Sequence, residues 1–127
     1  MLSALSLVLL SLPFLHASPI EQRAGNLGTS TTQNGLTDGG CKAMTVIFAR
    51  GTTETGNVGT LTGPPFFQAL STAVGADNLA VQGVDYPADI PGFLAGGDAT
   101  GSKLMASLVS QTATKCPNSK IVISGYR

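Results

Sequence analysis

The chain has 127 residues, with seven basic and seven acidic side chains, a single histidine and two cysteines. At that length it holds at most one domain. Balanced charge without any basic run speaks against a nucleic acid or an anionic membrane as partner.

Residues 1–17 are almost wholly apolar and carry no Lys, Arg, Asp or Glu. The apolar core at 5–12 is too short for a membrane span and has the length of a signal-peptide core. Leu15-His16-Ala17 is an acceptable cleavage site, so a secreted, extracellular chain beginning at Ser18 is expected, with no transmembrane segment. His16 would leave with that segment, and the mature chain would have no histidine base. In a secreted chain Cys41 and Cys116 most simply form one disulfide. It would close a loop of roughly 75 residues, for which chain entropy gives about 4 kcal/mol.

Residues 18–40 are rich in Gly, Ser, Thr, Asn and Gln, with Ile20, Leu27 and Leu36 as the large aliphatics. They are expected to form a flexible arm or propeptide that buries nothing. The folded part is then 41–127. Met44-Thr45-Val46-Ile47-Phe48-Ala49 is a continuous apolar run, the pattern of a strand buried on both faces. A polar, glycine-bearing loop follows from Arg50 to Asn57. Gly63-Pro64-Pro65 opens a helix, because proline is favoured in the first turn. Phe66, Phe67, Leu70, Ala73 and Val74 fall on one face of it, and Gly75 stops it.

Residues 79–84 read as a second strand and 85–97 as a long loop. Asp98 or Thr100 can cap the next helix, whose apolar face is Leu104, Met105, Leu108, Val109, Thr112 and Ala113. Cys116-Pro117 ends it. Ile121-Val122-Ile123 is a third strand that reads as buried on both faces and runs into Ser124-Gly125-Tyr126-Arg127. Strand, helix, strand, helix, strand makes two βαβ units and a parallel sheet, an α/β fold in three layers. No metal cluster, phosphate loop or dinucleotide fingerprint is present in the sequence, so no cofactor is expected.

A buried strand followed by a small residue and glycine is the approach to a sharp turn into a helix. In α/β-hydrolase-type enzymes that turn is G-x-S-x-G and carries the nucleophile. Gly125 and Tyr126 fill its first two places, and Arg127 stands where the serine belongs. A guanidinium stays protonated and is no nucleophile. Ala49-Arg50-Gly51-Thr52-Thr53-Glu54-Thr55-Gly56 resembles the signature loop of fungal cutinases. So do Gln82-Gly83-Val84-Asp85-Tyr86-Pro87-Ala88, Lys115-Cys116-Pro117 and Ile123-Ser124-Gly125-Tyr126, in the same order.

The resemblance covers roughly residues 41–126. It implies the N-terminal half of a small secreted serine esterase, monomeric when completely folded, that acts on cutin-type polyester or lipid-like esters. It implies that Thr52 serves the oxyanion hole through its backbone N–H and side chain. It also matches Cys41 and Cys116 to the family's first disulfide. The serine, acid and histidine of the triad have no counterpart in these 127 residues, so the chain as given is expected to be inactive. Glu54 reads as a solvated loop charge, and Asp85 and Asp89 as loop residues with no histidine to orient. The alternative from another class is a non-catalytic secreted ester-binding or decoy protein. A related esterase, such as an acetylxylan esterase, is a third reading.

Overall fold

The computed structural model describes residues 29–127. The signal-peptide expectation (1–17) and the first part of the arm (18–28) lie outside the described residues. The elements are a short helix α1 (Gly35–Asp38), β1 (Met44–Ala49), α2 (Gly63–Val74), a single 3-10 turn (Ala76–Asn78), β2 (Leu79–Gly83), a short helix α3 (Ile90–Leu94), α4 (Ala99–Lys115) and β3 (Lys120–Gly125).

The three strands form one parallel sheet in the order β2-β1-β3. Met44 aligns with Leu79 on one side and with Lys120 on the other, and Phe48 aligns with Gly83 and Ser124. The sheet has helices on both faces. Val46 and Phe48 point to the α2 face, where they pack with Val58, Phe67, Leu79 and Val81, and Phe66, Leu70, Val74, Val122 and Tyr126 border the cluster. Ile47 points to the other face with Leu36, Val84, Leu108 and Cys116, bordered by Leu104, Met105, Val109 and Ile121. Strand alternation separates these two sets. The α2 side is aromatic, with the Phe48 and Phe67 rings edge to face at 5.1 Å. The three-layer α/β expectation is therefore met.

Helix α2 starts at Gly63 with Pro64 and Pro65 in its first turn, as the sequence indicates, although Ala73 is exposed. Helix α4 is capped by Asp98, not Thr100: the Asp98 carboxylate accepts the Gly101 N–H at 2.6 Å. The long loop after β2 contains α3, which the sequence did not announce. Asp89 caps it by accepting the Gly92 N–H at 2.9 Å. Cys41 and Cys116 are joined, Cα to Cα 5.4 Å, just before β1 and β3 respectively.

Two expectations about burial need correction. Residues 29–40 are not a loose arm. Leu36 is 3% exposed in the core beside Ile47 and Leu108. Asn34 forms an antiparallel bridge to Gln82, and the Gln33 carbonyl accepts the Gly83 N–H at 2.8 Å. Buried Asn57 completes the attachment, accepting from the Gln33 N–H at 2.8 Å and donating to Asn34 Oδ1 at 2.8 Å. Lys115 donates its ammonium to the carbonyls of Leu36 and Gly39, at the end of α1. Composition suggested disorder because it counts aliphatic side chains. The segment is held instead by backbone and amide hydrogen bonds along the β2 edge, which it covers.

The second correction concerns β3. It lies at the sheet edge and is only partly covered, with Ile123 55% exposed. β2, at the opposite edge but flanked by 33–37, is buried along its whole length.

If Leu36 is a core residue, Leu36→Ala should destabilise the chain by about 2–5 kcal/mol. Urea denaturation of the oxidised protein measures this. A change below roughly 0.5 kcal/mol, the size of an ordinary surface substitution, would mean that 29–40 is not part of the folded unit.

Candidate active site

In a parallel sheet the loops after the strands gather at one end, and a crevice opens where the strand order reverses. Here the chain steps from β1 to β2 on one side and returns to β3 on the other, so the reversal lies between β1 and β3. The loop after β1 and the turn after β3 meet there. The Tyr126 N–H donates to the Ala49 carbonyl at 3.0 Å, which extends the β1–β3 pairing to the strand ends. Thr52 then faces Arg127. Its N–H donates to the Arg127 backbone oxygen at 3.0 Å, and its hydroxyl lies 3.4 Å from the same atom. The structure thus brings Thr52 to the turn Gly125-Tyr126-Arg127, 73 residues or more further along the sequence.

The loop bearing Thr52 is locked to the loop after β2. Arg50 donates from Nε to the Glu54 carbonyl at 2.7 Å, and its two terminal nitrogens donate to the carbonyls of Tyr86 at 2.8 Å and Pro87 at 3.3 Å. The Tyr86 hydroxyl returns a bond to the Arg50 carbonyl at 2.5 Å, and the guanidinium stands 5.3 Å from the Tyr86 ring centre. Burial pushes the Tyr86 phenol above its ordinary value, and Asp98 and Glu54 add to the rise while Arg50 opposes it. It stays a protonated donor at neutral pH. The Thr53 N–H donates to the Ala88 carbonyl at 2.7 Å. Both residues have positive φ, +68° for Thr53 and +46° for Ala88. Backbone in that region is uncommon for residues with a side chain and persists only where surrounding contacts hold it.

Glu54 is not the solvated charge that the sequence suggested. Its carboxylate accepts three backbone N–H groups: Gly51 at 2.8 Å, Thr60 at 3.0 Å and Leu61 at 2.9 Å. Burial by itself would raise its pKa. The donors of Leu61, Thr60 and Gly51, with Arg50 nearby, outweigh that and lower it from the ordinary 4.5. No sequence signal distinguishes this glutamate from a surface one, because its donors are backbone atoms of its own loop, three, six and seven residues away.

An open groove of about 430 Å³ runs beside Thr52, lined by Thr53, Glu54, Leu61, Ile90, Phe93, Tyr126 and Arg127. Leu61, Ile90, Phe93 and Leu94 are each more than half exposed. Three of these four apolar side chains line the groove. Helix α3 supplies Ile90 and Phe93, which the sequence, read as a plain loop there, missed; Leu61 comes from the loop before α2. Asp85 and Asp89 take no part in the donor geometry beyond the cap that Asp89 makes for α3. Among the described residues no three His, Cys, Asp or Glu side chains come together as a metal site. His16 lies outside them.

A parallel α/β sheet with helices on both faces and a strand-to-turn G-Y at its reversal point has the topology of the α/β-hydrolase type of fold. Comparison with known proteins narrows this. The cutinase family model matches residues 40–127. A cutinase of Botryotinia fuckeliana is 59% identical over 86 residues, 68% of this chain and 43% of that protein. A cutinase of Monilinia fructicola is 48% identical over 118 residues, 93% of this chain and 54% of that protein. The solved Trichoderma reesei cutinase in complex with a C11Y4 phosphonate inhibitor superposes with a TM-score of 0.69 at 42% identity, covering 84% of this chain and 47% of that one. The chain belongs to the cutinase family. It spans about half the length of the relatives it matches.

Because Glu54 has a folded pKa below its unfolded 4.5, its stabilisation is full above pH 4.5 and disappears as pH falls through the folded value. Between pH 6 and pH 3 the urea midpoint of the wild-type chain should therefore fall further than that of Glu54→Gln. Parallel loss in both proteins would show that the carboxylate is not linked to folding.

Proposed function

We propose that this chain is the N-terminal half of a secreted carboxylic ester hydrolase of cutinase type, acting on cutin-like polyester or lipid-like esters through a serine nucleophile. The observation that carries the reading is the paired donor of Thr52, N–H and hydroxyl, aimed at the backbone that follows β3. Ester hydrolysis by serine passes through a tetrahedral oxyanion, and preorganised donors at that position lower the barrier. The Thr52 N–H is fixed by a turn whose other N–H groups are used elsewhere. It therefore needs no reorganisation when charge develops.

Gly125 and Tyr126 supply the first two places of the nucleophile turn, and Thr52 sits across from the third. Arg127 occupies that third place here and supplies no nucleophile. The acid and the histidine of a triad have no counterpart among residues 29–127 in this reading. The apolar groove of Leu61, Ile90 and Phe93 beside Thr52 supports an apolar ester in preference to a sugar ester. Burying a chain of methylenes there gains about 0.8 kcal/mol per CH₂. A phosphonate, the ligand of the Trichoderma relative, has the tetrahedral shape of an attacked ester, which fits the same chemistry.

Produced by itself, the 127-residue chain should not turn over short p-nitrophenyl esters. Turnover that survives purification and is stopped by a serine-directed phosphonate would contradict this.

The donor role is measured in a hybrid. Residues 29–126 are joined to the part of the Trichoderma reesei cutinase that this chain does not cover, which restores a complete turn. The hybrid should hydrolyse p-nitrophenyl esters. Thr52→Ala should lower kcat by about 10²–10³-fold with little change in KM, and Thr52→Ser should recover most of it. Unchanged kcat in Thr52→Ala would remove the Thr52 hydroxyl from the oxyanion hole, and unchanged kcat in Thr52→Pro, which deletes the N–H, would remove the backbone donor as well.

A further inference from the structure

The turn that carries Thr52 is four residues long and closes with the Glu54 N–H on the Gly51 carbonyl at 3.1 Å. Its N–H groups divide cleanly. Gly51 gives its N–H to the Glu54 carboxylate and Thr53 gives its own to Ala88. Only the Thr52 N–H leaves the turn toward the end of β3. Thr53 holds positive φ, a setting a β-branched residue abandons unless its neighbours forbid it. Relaxing Thr53 would rotate the peptide plane between Thr52 and Thr53 and swing the donor away. Something must hold both ends of the turn.

We propose that Glu54 is the positioning residue for the Thr52 donor: its carboxylate grips the first N–H of the turn with one oxygen and the Thr60 and Leu61 N–H groups with the other. Oε2 takes Gly51, and Oε1 takes Thr60 and Leu61. Charge-assisted bonds of this kind are about twice as strong as neutral ones. The fit is close on both sides. A Cβ on Gly59 would stand 2.5 Å from the carboxylate, and one on Gly51 would stand 2.9 Å from Oε2 and 2.6 Å from the Tyr126 ring. The same glutamate therefore fixes the donor turn and the start of the apolar wall at Leu61.

The charged and titratable groups around it are Arg50 on its own loop, Tyr86 from the loop after β2 with Asp98 beside it, Tyr126 against Gly51, and Arg127 across the groove, whose terminal carboxylate accepts the Thr52 N–H. The donors keep Glu54 ionised at neutral pH, and acid is what releases the grip. This proposal rests on the oxyanion reading of Thr52, but its own measurement does not use catalysis.

The test is a pH titration from pH 7 to pH 3 of the ¹⁵N-labelled, monomeric 127-residue chain made with a C-terminal amide, so that the Arg127 acceptor facing Thr52 does not itself titrate. The backbone amides of Gly51, Thr52, Thr60 and Leu61 are followed, with Ile47 in β1 as a control for global unfolding. All four should shift with one midpoint below 4.5. Hydrogen exchange at Thr52 should speed up by about tenfold as the carboxyl protonates, while Ile47 stays protected. Glu54→Gln should abolish the shared inflection, and Glu54→Asp, which keeps the charge but shortens the reach, should leave it weaker.

If Gly51, Thr60 and Leu61 titrate while Thr52 does not move, Glu54 ties the loop without setting the donor, and the proposal fails. If Thr52 keeps its inflection in Glu54→Gln, another group controls it, and the proposal fails equally. If Ile47 speeds up as much as Thr52 with the same midpoint, the change at Thr52 is only the global loss of stability and not a release of the donor, which also overturns it. The wild-type titration needs no variant to fold. Failure of the oxyanion reading shows separately: Thr52 would move with Glu54 here, yet Thr52→Pro, which deletes the N–H, would leave the hybrid's kcat intact.

Discussion

β1 is paired along both edges and packed on both faces, and the rest of the molecule takes its position from that strand. Val46, Ile47 and Phe48 have no exposure, so three consecutive side chains serve two separate cores. A shift of one residue in its register would exchange Val46 and Phe48 with Ile47 and send an aromatic ring into the space that Ile47 and Leu36 fill. The register in turn decides where β1 ends, and the end of β1 decides where Thr52 stands relative to β3. Burial of four residues of one strand thus sets a hydrogen bond that lies outside the core altogether.

The parts of the structure that depend on side-chain pattern were legible. The run 44–49 gave a strand with the observed bounds because an uninterrupted apolar run bounded by polar residues fits little else. Helices α2 and α4 showed their periodicity, and Pro64 and Asp98 marked their starts. Three strands separated by helices implied a parallel sheet in three layers, and the motif order pointed to the cutinase resemblance that the comparisons support. Thr52 was singled out from the same loop motif, and the structure places it opposite the turn after β3.

What stayed hidden depends on backbone groups. The segment 29–40 carries one buried aliphatic, Leu36, and attaches through the amides and carbonyls of Gln33, Asn34, Asn57 and Gln82. Hydropathy does not register such contacts. Glu54 was misjudged for the same reason: every donor to its carboxylate is a main-chain N–H. Helix α3 is five residues long, too short to show a period, and its apolar side chains look like loop residues until Asp89 caps it. Ile123 was misjudged in the opposite sense: the run read as buried on both faces, but a strand at the end of the sheet is left partly uncovered whatever its hydropathy.

The covalent link has a consequence of its own. Cys41 and Cys116 precede β1 and β3, so the disulfide sits at the entry of the two strands whose exits carry Thr52 and Tyr126. With six residues per strand, entry and exit are separated by about 20 Å. One end of the sheet is clamped by a bond that no proton disturbs, and the other is held by hydrogen bonds, among them three to the Glu54 carboxylate. Sequence change at the working end can therefore reshape the groove without loosening the staple. Reduction at the far end would instead lower the cost of unfolding while leaving the donor geometry of the folded molecules as it was.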